Sequence, residues 1–188
     1  MKFSKSFWTI LFASFAMVPL ATTGKAADIG YAPPDAVVNS GIYIRGDIGA
    51  SYLNWSGATS NWAWVGDGGI GYQFDQNLRA DITYNRSGDY GLTGGGVSSS
   101  MLLGTVYYDF ANSSAFTPYI GAGVGYGWEY GHGVAADVNG VAIGLTAGVA
   151  YNITNNLALD VGYRFHDILN STQSTQEHQL AAGVRFKF

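Results

Sequence analysis

The amino-acid sequence predicts an all-β fold: an eight-stranded antiparallel up-and-down transmembrane β-barrel, preceded by a cleaved signal peptide. Three observations carry this reading. Apolar residues recur at every second position through eight segments, the spacing that gathers them on one face of a strand. The connections alternate between loops of roughly 8 to 11 residues and turns of roughly 3 to 6, the asymmetry of a barrel whose two ends face different compartments. The closing stretch, His178 to Phe188, alternates strictly and ends on an aromatic residue.

At the amino terminus, Lys2 and Lys5 precede a largely apolar run, Phe7 to Leu20, that is too short to span a bilayer comfortably. Gly24 and Ala26 occupy the small-residue positions of a cleavage site, so residues 1–26 read as a signal peptide. Residues 27–40, with Pro33 and Pro34, lack periodicity and read as an extended periplasmic lead-in, leaving 41–188 for the barrel. Without the signal, the basic residues fall to 6 against 13 acids, a net charge of about −7 that argues against nucleic acid as a partner. Cysteine is absent, which removes disulfides, thiol nucleophiles and thiolate metal sites. High Gly, Tyr and Trp content with only 4 Pro favours close-packed strands over disorder.

The first strand begins at Gly41, with Ile42, Ile44, Ile48 and Tyr52 on one parity and Tyr43, Arg45, Asp47 and Ser51 on the other. A polar loop, Asn54 to Asn61, leads to Trp62–Phe74, and Asp75, Gln76 and Asn77 form a tight turn. The third strand sends Leu78, Ala80, Ile82 and Tyr84 outward and Arg79, Asp81, Thr83 and Asn85 inward. A Gly-rich loop, Ser87 to Val97, precedes Ser98–Phe110; the turn Ala111 to Phe116 leads to Thr117–Glu129. In that fifth strand Ile120, Ala122, Val124, Tyr126 and Trp128 oppose Gly121, Gly123, Gly125 and Gly127. The loop Tyr130 to Val138 precedes Asn139–Ile153, the turn Thr154 to Asn156 precedes Leu157–Ile168, and the loop Leu169 to Gln176 precedes the last strand.

Alternation alone does not say which face is inside, and a soluble lipocalin-like barrel shares the meander. The apolar parity holds more bulk than an eight-stranded lumen contains, so the charged and glycine parity is the interior. Aromatic residues also gather at strand ends. Trp62, Trp64 and Trp128 lie with Tyr52, Trp55, Tyr84, Tyr126 and Phe165 near the long loops, and Tyr72, Phe74 and Tyr151 with Tyr108, Phe110, Phe186 and Phe188 near the short turns, as two interfacial girdles.

Charges in a narrow interior require partners. Arg45, Asp47, Asp67, Arg79, Asp81, Asp109, Asp160, Arg164 and Arg185 fall on the lumen parity and are expected to form an ion-pair network that fills the barrel, with Lys187 beside them and Glu129 at the rim. The glycines of the fifth strand are expected to make room for long Arg side chains. Gly121 and Gly123 begin a GxGxxG pattern, but Tyr126 holds its last position and no helix follows, so dinucleotide binding is dropped. His132, His166 and His178 are scattered without metal-ligand spacing. The one local grouping with enzyme-like chemistry is His178 with Ser171, Ser174 and Glu177, and Glu177 and His178 point to opposite faces.

The residues as a set resemble the small outer-membrane β-barrel surface proteins of Gram-negative bacteria, akin to the OmpA transmembrane domain and to opacity-type, porin-family surface antigens. Thr117, Pro118 and Tyr119, leading into Ile120, Gly121, Ala122, Gly123, Val124 and Gly125, look like that family's Pro-aromatic entry to a glycine-alternating strand. Leu180, Val184, Phe186 and Phe188 resemble its carboxy-terminal assembly signal. The peptidoglycan-binding domain of the full OmpA type is not expected here. The resemblance implies a bacterial outer-membrane protein with both termini periplasmic, in contact with membrane lipid, lipopolysaccharide and the outer-membrane assembly machinery, and monomeric. The expected function is a structural, surface-exposed one, as a surface antigen or in envelope integrity, without catalysis, cofactor or metal. A narrow porin or a small-ligand binder, of haem for example, is the alternative, followed by a lipid-modifying outer-membrane enzyme.

Overall fold

The computed structural model describes residues 40–54, 58–92, 94–133, 137–169 and 174–188. The expected signal peptide, most of the lead-in, Trp55 and Ser171 lie outside the described residues, as does the side chain of Ser174. The described residues form ten strands: β1 (Gly41–Asn54), β2 (Ala58–Ser60), β3 (Trp62–Gln73), β4 (Leu78–Ser87), β5 (Tyr90–Leu92), β6 (Gly95–Asp109), β7 (Phe116–Gly133), β8 (Val138–Asn152), β9 (Leu157–Leu169) and β10 (Ser174–Lys187). The eight long ones pair antiparallel in chain order, and β10 returns to β1, from Tyr43 opposite Lys187 to Asn54 opposite Gln176, closing the barrel. Closure pairs both edges of each of the eight long strands within the wall, which a membrane interior demands.

The short connections are built from side chains that satisfy their own backbone. Asp75 accepts from the amides of Asn77 (2.7 Å) and Leu78 (2.8 Å), Asn112 from that of Ser114 (2.8 Å), and Thr154 from those of Asn156 (3.2 Å) and Leu157 (3.0 Å). Such turns reverse the chain with little length, which sets the compact end of the barrel.

At the opposite end the structure corrects the expected loops. The segment Asn54–Asn61 carries β2, and Ser87–Val97 carries β5 together with the start of β6. β2 and β5 pair with each other, and β5 pairs with β6. β7 runs through the expected loop as far as Gly133, opposite Gly95, and β10 begins at Ser174 rather than near His178. Gly and Ser at these tips carry no alternating hydrophobicity, yet their backbone groups still pair. Periodicity reports what surrounds a side chain, and here the ladder continues past the apolar band.

The two faces of the wall differ sharply. Ile48 is 76%, Ile82 59%, Val124 61% and Leu180 62% exposed, while Arg79 and Gln179 are 1% and 0% exposed. Large apolar residues stand exposed on every barrel strand, an amount that water would penalise and lipid accommodates. Ring pairs crown this band at both ends: Tyr52–Trp62 (centroids 5.2 Å apart) and Tyr84–Trp128 (6.2 Å) toward the loops, Tyr72–Phe74 (5.2 Å), Tyr108–Phe110 (5.1 Å), Phe116–Tyr151 (5.0 Å) and Phe186–Phe188 (5.2 Å) toward the turns. Trp64 is exposed on the loop-side belt with Trp62.

Candidate functional site in the lumen

The interior is stacked in three levels. Nearest the turns, Arg79 on β4 grips Asp109 on β6 through Nε, 3.0 Å from each carboxylate oxygen. Its guanidinium lies 3.9 Å from the ring centre of Tyr107 and 4.9 Å from that of Tyr119. Arg185 on β10 stands 3.8 Å from Asp160 on β9 and 5.8 Å from the Tyr43 ring.

At mid-barrel, strand register sets like charges side by side: Arg45 opposite Arg185, and Asp47 opposite Asp67. Such pairs repel unless a third group intervenes. Arg164, on β9 and separated from β1 by β10, spans both acids, with Nη2 2.9 Å from Asp47 and Nη1 bonded to Asp67. Arg45 binds Asp47 (2.8 Å) and turns its other nitrogen toward Asp81 (3.4 Å) and the Tyr107 hydroxyl (2.9 Å). Asp81 also accepts from Tyr43 (3.0 Å) and Tyr107 (3.2 Å). Each of these charges therefore has a partner, without which burial would be prohibitive.

Toward the loops amides and hydroxyls replace the guanidinium groups as partners. Asn85 and Gln179 exchange amide hydrogen bonds at 3.2 Å in both directions. Glu177 accepts from Gln179 (2.9 Å), Ser51 (3.4 Å) and Ser99. Beside them are two apolar clusters, one of Met101, Leu103, Ala142 and Ile168 and one of Leu53, Tyr90 and Val97. The interior is thus not uniformly charged.

All nine charged residues singled out from the sequence carry ion pairs within this lumen. The partner of Arg79, which alternation does not identify, is Asp109. One expectation is corrected: the glycines of β7 do not make room for arginines. A side chain at Gly121 would meet Tyr107 and Thr146, at Gly123 Thr105, and at Gly127 Ile168 and Met101. Tyr107 fills this space at Gly121, with threonine and apolar side chains along the rest of the strand, and Arg79 stacks on that tyrosine. Tyr107 and Tyr119 were not picked out by alternation; the signal that could have found them is a large inward residue opposite a glycine, as in Tyr107 opposite Gly121 and Tyr119 opposite Gly148.

The histidines are separate. His166 is buried in the lumen, His178 meets the Tyr163 hydroxyl at 2.6 Å on the outer wall, and His132 sits exposed, 3.9 Å from Asp89. Among the described residues no group of three or more His, Cys, Asp or Glu side chains is placed to hold a metal. Glu177 faces in while His178 faces out, so these two do not form one site. Arg86, unassigned by the sequence reading, points outward, donates to Ser100 at 3.2 Å, and is the one outward-facing cation among the described residues.

Residues 13–188 match the family model described as "Outer membrane protein beta-barrel domain". The chain is similar to outer membrane protein PagN of Salmonella typhimurium, 27% identical over 82% of each chain. It is also similar to opacity protein opA67 of Neisseria gonorrhoeae, 31% identical over 48% of this chain, and spans about half, 54%, of that protein's length. Among solved structures, Neisserial surface protein A superposes with a TM-score of 0.70 at 25% identity, over 80% of this chain and 99% of that one. With a closed barrel, an apolar outer band and this family match together, the chain belongs to the outer-membrane protein β-barrel family of Gram-negative bacteria.

Proposed function

We propose that this chain is a surface-exposed structural protein of the outer membrane, with a lumen closed to solutes by paired charge. The observation that carries the reading is the mid-barrel crossing of Arg45, Asp47, Arg164 and Asp67, where a cavity lined by Arg45, Asp67, Tyr107, Arg164 and His166 has a volume of about 20 Å³. That is room for one water, which needs roughly 10–15 Å³. Similarity to a protein named for its surface location, Neisserial surface protein A, supports the surface role. Both termini are periplasmic in this reading, because eight strands return the chain to its starting side and the compact turns form that end. Exposed apolar residues on every barrel strand support a monomer surrounded by lipid, with lipopolysaccharide at the loop end and the assembly machinery reading the last strand. No catalysis is part of the reading.

Planar-bilayer recording on the purified protein tests it. A silent membrane, or only rare brief events, is expected. Steady, large openings from a homogeneous, folded sample would overturn the closed lumen in favour of a narrow pore.

A further inference from the structure

We propose that the loop-end rim of the outer wall is a docking site for a phosphorylated glycolipid of the outer leaflet, its phosphate held by Arg86. Arg86 shares the outward parity of β4 with Leu78, Ile82 and Tyr84, and it is the one outward-facing cation among the described residues. It follows Tyr84 by one pleat toward the loops, and Tyr84 stands with Trp128 in the loop-side aromatic belt. Such rings sit at headgroup level, so Arg86 lies at the depth of lipid phosphates, where a lipid-facing cation costs little.

The guanidinium is fixed at one edge and open at the other. Its Nη1 donates to the Ser100 hydroxyl at 3.2 Å, and Tyr84 Oη donates to the same oxygen at 3.2 Å. Ser100 is opposite Arg86 in the register of β4 with β6 and is fully buried, an anchor and not part of the exposed face. Among the described residues no carboxylate pairs with Arg86, and its Nε and Nη2 stay open, the donors that grip a phosphate side by side. The flanks suit a sugar. On the β3 side Arg86 is opposite Gly66, and the Trp64 indole lies across Gly66 and Gly88: a β-carbon at Gly66 would stand 3.5 Å from Trp64 Cζ3, and one at Gly88 would meet Trp64 Nε1. On the β6 side Ser100 is opposite Trp128, whose ring lies 6.2 Å from that of Tyr84 and 6.4 Å from that of Tyr126. Two indoles thus bracket one cation. Their electron-rich faces attract the C–H faces of a sugar ring, which a simple phospholipid headgroup lacks, so the occupant is a glycolipid. The site rests on the reading that the loop end faces outward, and it does not depend on whether the lumen conducts.

The test titrates the full mature barrel in detergent micelles with bisphosphorylated lipid A and counts the lipid retained by native mass spectrometry. One saturable lipid per barrel is expected, ahead of weaker binding around the wall. Arg86→Gln, or removal of the lipid A phosphates, should weaken that first step by about tenfold, the scale of one lost charge-assisted hydrogen bond. Arg86→Lys should restore only part of it, because an ammonium lacks the fork. Heat-modified gel mobility confirms that each variant is folded, and Val124→Ala, on the outer wall of β7, should leave retention unchanged. A first step indifferent to Arg86→Gln or to the phosphates would overturn the proposal, as would phosphatidylglycerol held as tightly as lipid A. Labelling of an Asp89→Cys variant on intact cells reports the orientation of the loop end separately, since that side chain is 71% exposed. Loss of lipid retention would leave the closed lumen standing, and a conducting lumen would leave the lipid site standing.

Discussion

Arg79 and Asp109 are joined across β4 and β6 by one guanidinium nitrogen 3.0 Å from both carboxylate oxygens, directly beneath the face of Tyr107. Arg79 is 1% exposed, so it acts as core rather than as surface charge. A planar cation suits this place because it can bond at its edge and stack on its face at once.

Arg79→Ala should therefore destabilise the barrel by about 3–5 kcal/mol, since it strands Asp109 in the interior and removes the body against which two tyrosines pack. Arg79→Lys should recover only part of this, because an ammonium bonds the carboxylate but lacks the stacking plane. Urea unfolding in lipid vesicles, followed by tryptophan fluorescence, gives the comparison. An Arg79→Ala barrel as stable as the parent would mean that the pair is ornamental.

The wall of this barrel was legible because every strand places its side chains in two environments, and period two records the difference. Arg79, Asp81 and Asn85 on one parity and Ala80, Ile82 and Tyr84 on the other sort as read, with the first set buried. The strand tips were not legible: Gly95, Gly96 and Gly131 carry no side chain to record an environment, yet they stand in the ladder between β6 and β7. Pairing in the lumen was hidden for another reason. Partners such as Arg164 and Asp67 are 97 residues apart and meet across the barrel, at a depth set by stagger between strands that alternation does not encode. Parity sets Tyr119 inward with the glycines and Tyr126 outward, but it does not say what an inward ring packs against; the glycine opposite, Gly148, marks the space that Tyr119 fills.

The last strand yields a prediction about assembly. Val184 and Leu180 are exposed on the outer wall, and Phe188 packs edge-on against Phe186 with centroids 5.2 Å apart. Deleting Phe188 should lower the amount of folded protein in the outer membrane through lost recognition, since it removes little of the wall. Val184→Asp should lower it by placing a charge toward lipid, at a cost below the roughly 2–4 kcal/mol of a midplane Arg or Lys. Fractionated membranes probed for the heat-modifiable form measure both. Normal levels for the truncated protein would show that the aromatic ending is not read.

Gly148 provides the sharpest test of how the lumen is packed. It lies on β8 opposite Tyr119 on one side and Gly162 on the other, and a β-carbon there would stand 2.6 Å from Tyr119 Cζ, Tyr119 Oη and the Val161 carbonyl. That is too close for any real contact, so Tyr119 would have to leave the glycine and, with it, its place beneath the Arg79 guanidinium. Gly148→Val should therefore destabilise the barrel by about 1–3 kcal/mol, the usual scale of overpacking, despite the higher strand propensity of Val. Gly104 is the control: it faces outward on β6, and the nearest atom to its added β-carbon is the Val124 carbonyl at 3.8 Å, so Gly104→Val should be neutral or stabilising. Because the Tyr119 ring is one of the two groups met, the Val161 carbonyl being the other, Tyr119→Leu should cost less in the Gly148→Val background than in the parent, a coupling that a double-mutant cycle reads directly. Equal effects at positions 148 and 104, or strictly additive ones with Tyr119→Leu, would show that the glycine serves the backbone and not the tyrosine.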